Sequence, residues 1–345
     1  MIRICRRLAL GVSLAIATCL ALPVSAQTFP GPLASTGNAS PQPMAAAFVR
    51  GAYGKDSSGT GYGVMAESGF NSVMTGPYRE LLGPIAAQGL RGVVWLGNFI
   101  NAPTCNFEKS DATVTKLVAP IAGDPAVLAY YLGDEPHVSE CPKAPLLFKK
   151  RSDLVHALDH GSQTFTVIQA SENGIAHDYA PWTGSVDIIG FDVYPCARAS
   201  ATCNFGAIDS AIQAIRNAGV KQYWAVLQDF QDCYYRLPTP QEIEAQFDHW
   251  AGSGISGYFV FSWNYQSADP KCVGTTLDSH PDNIDELKHE NAVSFFRLPA
   301  AQSSPEPSVL TSARWLAILA LVVIAVGIAL GVKRARSRRH TGHDG

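Results

Sequence analysis

Two adjacent carboxylic acids, Asp134 and Glu135, close the run VLAYYLGDEPH at Val127–His137. The residues before them are apolar and aromatic, as in a strand buried on both faces, and Pro136 ends the run. A strand interior holds unpaired charge only at a large desolvation cost or with a shifted pKa. Acids at its carboxyl end are therefore either solvated in a loop or held there to give and take protons. Other run ends carry further polar groups: Asp192 and Tyr194 in FDVYP (Phe191–Pro195), Gln228 and Asp229 in AVLQDF, and Trp263 in FSWNY. Asn98, Gln169, Trp182, Tyr234, Tyr235 and Tyr265 lie nearby in sequence. Carboxyls, amides and aromatics together suit a sugar, whose C–H faces stack on rings and whose hydroxyls bind amides and acids. Breaking a glycosidic bond commonly takes two carboxyl groups, one protonating the leaving oxygen and one acting as nucleophile or base.

The elements that must position these groups form one long alternation. Short apolar runs fall at Ala47–Tyr53, Phe70–Thr75, Leu90–Leu96, Val127–Leu132, Thr164–Gln169, Val186–Val193, Tyr223–Leu227 and Ile255–Trp263. Between them, Tyr78–Gln88, Lys143–Leu158, Phe205–Ala218 and Gln241–Trp250 carry apolar residues at helical spacing, the first three followed closely by Gly89, Gly161 and Gly219. Thr239, Pro240 and Glu242 make a capping box with proline at the first helical position. Helix, glycine, strand is the βαβ signature, and eight repeats over about 250 residues predict one closed (β/α)₈ TIM barrel, an α/β fold, across residues 46–298. No Gly-x-Gly-x-x-Gly turn follows the first run to favour an open dinucleotide-binding sheet. In such a barrel the polar run ends collect on the carboxyl face of the strands. The candidate catalytic residues are then Glu135, Asp134 and Asp192, and the candidate binding residues Gln228, Tyr194, Trp263, Asn98 and Gln169. Asp192 has an alternative as partner of a buried arginine such as Arg50, and Trp263 one as a lid on the core.

At this point the chain resembles a known group. Gly-Asp-Glu-Pro at residues 133–136 is similar to the Asn-Glu-Pro signature of the retaining glycoside hydrolases built on (β/α)₈ barrels, with Asp134 where they have Asn. FDVYP and Trp263 of FSWNY are also similar to this superfamily. The resemblance implies that Glu135 is the general acid/base of an enzyme acting on a polysaccharide or oligosaccharide. It also implies a nucleophilic glutamate at the end of strand 7, where this chain has Gln228. Three readings follow. The partner carboxylate is Asp192; or Asp134 and Glu135 act as a pair, as in the N-acetylhexosaminidases that use the substrate's acetamido group and share Gly-Asp-Glu at strand 4; or the barrel binds carbohydrate without cleaving it.

The ends of the 345-residue chain set an expected compartment. Arg3, Arg6 and Arg7, the apolar stretch Leu8–Leu22 and the small-x-small Val24-Ser25-Ala26 read as a signal peptide over residues 1–26. A Pro/Gly/Ser-rich arm follows at 27–45. Beyond a linker at 299–314, Trp315–Val332 is uncharged and, at about 1.5 Å per residue, long enough to span a bilayer core. The basic tail 333–345 places its end in the cytoplasm and the barrel outside. Pro305-Glu306-Pro307 before an apolar span and a basic cluster resembles the PEP-type sorting signal of Gram-negative bacteria, which implies processing of the tail in place of anchorage. Cys105, Cys141, Cys196, Cys203, Cys233 and Cys272, an even set, are expected as disulfides. Neighbouring barrel loops suggest 105 with 141, 196 with 203 and 233 with 272. No Cys-x-x-Cys or His-Glu-x-x-His spacing argues for a metal, and no cofactor motif is present. Setting aside the basic residues of the two ends leaves 18 Lys and Arg against 28 Asp and Glu, which excludes a nucleic-acid-binding footprint.

Overall fold

A computed structural model describes residues 48–54, 59–169, 171–172, 175–176, 178–266 and 269–293. The signal peptide, arm, linker, apolar span and basic tail expected above lie outside them. Among the described residues, no helix is long and apolar enough to cross a membrane.

Eight parallel strands close into a barrel in chain order: β1 Val49–Ala52, β2 Ser72–Thr75, β3 Arg91–Trp95, β4 Val127–Asp134, β5 Gln163–Gln169, β6 Ile188–Asp192, β7 Tyr223–Gln228 and β8 Gly257–Phe261. Pairing of Val49 through Ala52 with Gly257 through Val260 joins β8 back to β1 and removes both sheet edges. The described helices are α1 Gly59–Glu67, α2 Arg79–Ala87, α3 Asp111–Val118, α4 Ala144–Leu158, α5 Gly206–Ala218, α6 Pro240–Trp250 and α7 Pro281–Ala292. Between β5 and β6 a 3₁₀ turn, Ala180–Trp182, stands where a helix would.

Strand alternation divides the core in two. Inside the barrel lie Val93, Ala129, Tyr131, Phe165, Val167, Ile188, Trp224, Val226 and Phe259. The opposite faces of the same strands meet the helices in a second, larger cluster. Large rings inside need small neighbours: a Cβ on Gly51 would sit 2.3 Å from the Phe259 ring, and one on Gly190 2.8 Å from that of Phe165. Outside, α5 buries Ile208, Ala211, Ile212 and Ile215, one stripe of a 3.6-residue period. Each buried isoleucine contributes about 1.5–3 kcal/mol. The helix stops at Gly219, whose φ of 73° suits glycine and whose N–H reaches the carbonyls of Ile215 and Arg216. The Thr239–Glu242 capping box forms as its spacing predicts, with Pro240 in the first turn of α6.

Three disulfides tie loops on the carboxyl face of the strands. Cys105–Cys141 joins the loop after β3 to that after β4, Cys196–Cys203 closes the loop after β6, and Cys233–Cys272 joins the loops after β7 and β8.

Candidate active site at the carboxyl face of the barrel

In a regular strand Asp134 and Glu135 would point to opposite faces. Two local departures bring both into the barrel mouth. Tyr131 points inward, but the register of β4 against β5 shifts between Tyr131 and Asp134. A Cβ on Gly133 would face Phe99 and Phe148, outside the barrel, so the next residue, Asp134, turns inward. The Thr166 hydroxyl fixes this irregularity by donating to the Gly133 carbonyl at 2.7 Å. Glu135 then adopts a left-handed φ of 39°, uncommon for a residue with a side chain, and its N–H donates to the Val167 carbonyl at 3.1 Å. Asn101 clamps the turn from the neighbouring loop. Its amide donates to the Glu135 carbonyl at 3.0 Å and its oxygen accepts the His137 N–H at 2.7 Å.

Asp134, Glu135, Gln169, Asp192 and Tyr194 line one cavity of about 570 Å³. Tyr53, Phe230, Asp232, Tyr234, Tyr235 and Phe261 form much of the remaining wall. Glu135 and Asp192 stand close enough to share a proton, and the Gln169 side chain lies beside Glu135. Burial, with the adjacent Asp192 charge, pushes the Glu135 carboxyl up to about 9. Burial raises Asp192 to about 6, against the pull of its bond with Glu135. Two carboxyls this close cannot both ionise cheaply, so at neutral pH one proton stays between them, on Glu135. Burial and the Glu135 charge lift Asp134 to about 7, and the Tyr131 hydroxyl donates to its Oδ1. The Tyr53 hydroxyl lies 3.4 Å from that of Tyr131. Among the described residues Oδ1 of Asp192 has no hydrogen-bond partner, although the side chain is 6% exposed. That orphaned oxygen is available to a ligand hydroxyl or water.

A smaller cavity of about 240 Å³ adjoins the first. Asn98 lies there with Thr75, Trp95 and Tyr265. Arg50 does not pair with Asp192; its Nε donates to the Gly69 carbonyl.

Two expected ligand contacts are placed elsewhere. Gln228 is fully buried and its amide is taken up by backbone: Oε1 accepts from Cys196 N–H at 2.8 Å, and Nε2 donates to the carbonyls of Cys196 and Arg236. It holds the loops after β6 and β7 together and lines neither cavity. Trp263 is 4% exposed and packs edge-on to Phe70 in the outer core. Phe261, two residues earlier and on the inward face with Phe259, meets both cavities instead. Alternation from Phe259 puts Phe261 on this face and would put Trp263 there too, had the strand not ended at Phe261. Asp229 turns outward, where its Oδ1 accepts from Asn283. Asp232, on the loop beyond, lines the large cavity while its Oδ1 accepts the N–H groups of Tyr234 and Tyr235. Nothing in the sequence pattern singles out Asp232 or Asn101, because loop geometry places them. Among the described residues one group has metal-ligand proximity, Cys196, Cys203 and Glu242, and its sulfurs are joined in a disulfide, so it offers no thiolate.

The fold matches solved structures. A β-galactosidase from Bacillus circulans sp. alkalophilus superposes with a TM-score of 0.56 at 9% identity, over 71% of this chain and 55% of its own. A β-galactosidase from the psychrophilic Marinomonas ef1 gives 0.54 at 10% identity, over 70% and 59%. One from the Antarctic haloarchaeon Halorubrum lacusprofundi gives 0.51 at 12%, over 70% and 57%. The matched region thus spans a little over half the length of each. At these identities the likeness is one of fold. No protein-family model and no curated protein sequence matches the chain.

Proposed function

We propose that this barrel is a glycoside hydrolase in which Glu135 gives a proton to the leaving glycosidic oxygen and Asp192 is the partner carboxylate. The observation that carries the reading is the Glu135–Asp192 pair, side by side in a cavity walled by tyrosines and phenylalanines, where burial beside a second carboxyl raises Glu135. A proton donor must be protonated where the enzyme works, and burial beside a second carboxyl keeps it so. Substrate entering between the two carboxyls breaks their mutual bond. The proton passes from Glu135 to the leaving oxygen, and ionised Asp192 is left to stabilise the developing positive charge or to accept a proton from attacking water. Asp134, bonded to Tyr131, is the second acid at hand, and in a substrate-assisted route it would orient an acetamido group.

The barrel is read as working outside the cytoplasm, delivered by the N-terminal signal and held by or processed at the C-terminal apolar span. Its three disulfides suit an oxidising compartment.

A binding-only barrel has one observation in its favour: neither acid-position residue at the end of β7 reaches the cavity, since Gln228 is bound to backbone and Asp229 faces α7. Asp232 of the loop beyond is engaged by the N–H groups of Tyr234 and Tyr235. Incubating the full-length protein with neutral polysaccharides and N-acetylhexosamine oligomers, and measuring new reducing ends, separates the readings. Release supports hydrolysis, and dependence on the acetamido group selects the substrate-assisted route. Saturable binding without release means recognition without cleavage.

A further inference from the structure

The mouth of the barrel holds two adjoining hollows, of about 570 Å³ and about 240 Å³. Tyr53, Asp134 and Phe261 line both, so the two meet at Asp134, beside the Glu135–Asp192 pair of the larger hollow. Each hollow has an exposed tyrosine in its wall. Tyr234, 72% exposed, lines the larger, and Tyr265, 45% exposed, lines the smaller. A single exposed ring needs no explanation. Two of them, in the separate arms of one trough, form a repeated contact surface. Both are held in place: Tyr265 packs 5.8 Å from Phe261, and the Tyr234 backbone is fixed by Asp232. The smaller hollow adds the Trp95 ring, the Thr75 hydroxyl and Asn98, whose amide N–H is held by Glu108 and whose side-chain oxygen is left as an acceptor. Thr75 Oγ1 is buried and unpartnered among the described residues.

We propose that the two hollows form one trough for a linear glycan chain lying across the mouth, with rings stacked on Tyr234 and Tyr265 and an internal linkage over Glu135 and Asp192. The proposal rests on the carbohydrate reading and adds to it. The substrate is a chain gripped on both sides of the bond that breaks, since a site for one terminal sugar would have no use for the second hollow.

The test uses full-length protein carrying Glu135→Gln, which binds without turnover, and calorimetry with cello-, manno-, xylo- and chito-oligosaccharides of one to six rings. For the sugar that binds, affinity rises with chain length, by roughly tenfold or more from one ring to six as additional ring contacts form. Adding Tyr265→Ala lowers hexasaccharide affinity by roughly three- to tenfold and monosaccharide affinity by less than about twofold, while Tyr265→Phe retains the parent values. Equal affinity for one ring and six, in a protein whose wild type still releases sugar, would overturn the trough and leave the hydrolase reading standing. Failure of every oligosaccharide to bind, with no release by the wild type, would remove both.

Discussion

At the scale of single residues, one proton shared by Glu135 and Asp192 decides the chemistry. A donor held at about 9 and a partner at about 6 give a bell-shaped pH profile. Activity is expected to rise through about pH 6 as Asp192 ionises and to fall through about pH 9 as Glu135 loses its proton. A profile still climbing at pH 10 would contradict the assignment of Glu135 as the acid. The same protonation state affects stability. Glu135 in the unfolded chain ionises near its ordinary value of 4.5, whereas the folded group holds its proton to about 9. The native state therefore loses stability as pH rises between those values, relative to a neutral group at the same site. Glu135→Gln is expected to raise Tm by a few degrees near pH 8 and by almost nothing near pH 4, read by calorimetric scans of the two proteins. Gln228 has the opposite character. Gln228→Ala leaves the Cys196 N–H and two carbonyls without their side-chain partner, at about 1–3 kcal/mol for each group left unsatisfied. A large drop in the denaturation midpoint with little change in sugar affinity is the expected outcome.

At the scale of elements, the acid pair depends on a turn that β4 cannot make alone. Asn101 bonds the Glu135 carbonyl and the His137 N–H, and Cys105–Cys141 ties the same two loops a few residues away. Asn101→Ala is expected to lower kcat by about 10–100-fold by loosening the donor, as misplacement by about 1 Å does, with KM nearly unchanged and the alkaline limb of the pH profile moved. An unchanged alkaline limb would mean that Asn101 serves only the loop. The strands behind this turn were readable in the sequence because each is an apolar run bounded by turn residues, and all eight occur where the runs lie. Helices α2, α4, α5 and α6 were readable from their apolar stripes, and α6 from its cap. Helices α1, α3 and α7 were not. Within α1 Gly59, Gly61 and Gly63 weaken the helical pattern, α3 is short, and α7 is mostly charged and polar. The inward turn of both acids was also hidden, since alternation predicts one of them outward and only the β4 irregularity and the φ of Glu135 reverse that.

At the scale of the whole molecule, the parallel order of the strands sends every carboxyl end to one face, so residues from Tyr53 to Phe261 meet at one mouth. That much follows from the alternation of elements. Which polar strand-end groups reach the mouth does not, because the loops decide it: Gln228 is drawn into the wall by Cys196 and Arg236, and Trp263 turns into the outer core past the end of β8. The roles of Glu135 and Asp192 are tested most directly by the initial rate of sugar release by full-length wild type, Glu135→Gln and Asp192→Asn, compared on the same glycan at pH 7.5. Steady release by the wild type and losses of about 10²–10⁴-fold in each variant are expected, with glycan binding retained in both. Equal rates in all three proteins, or binding by the wild type with no release, would contradict these roles.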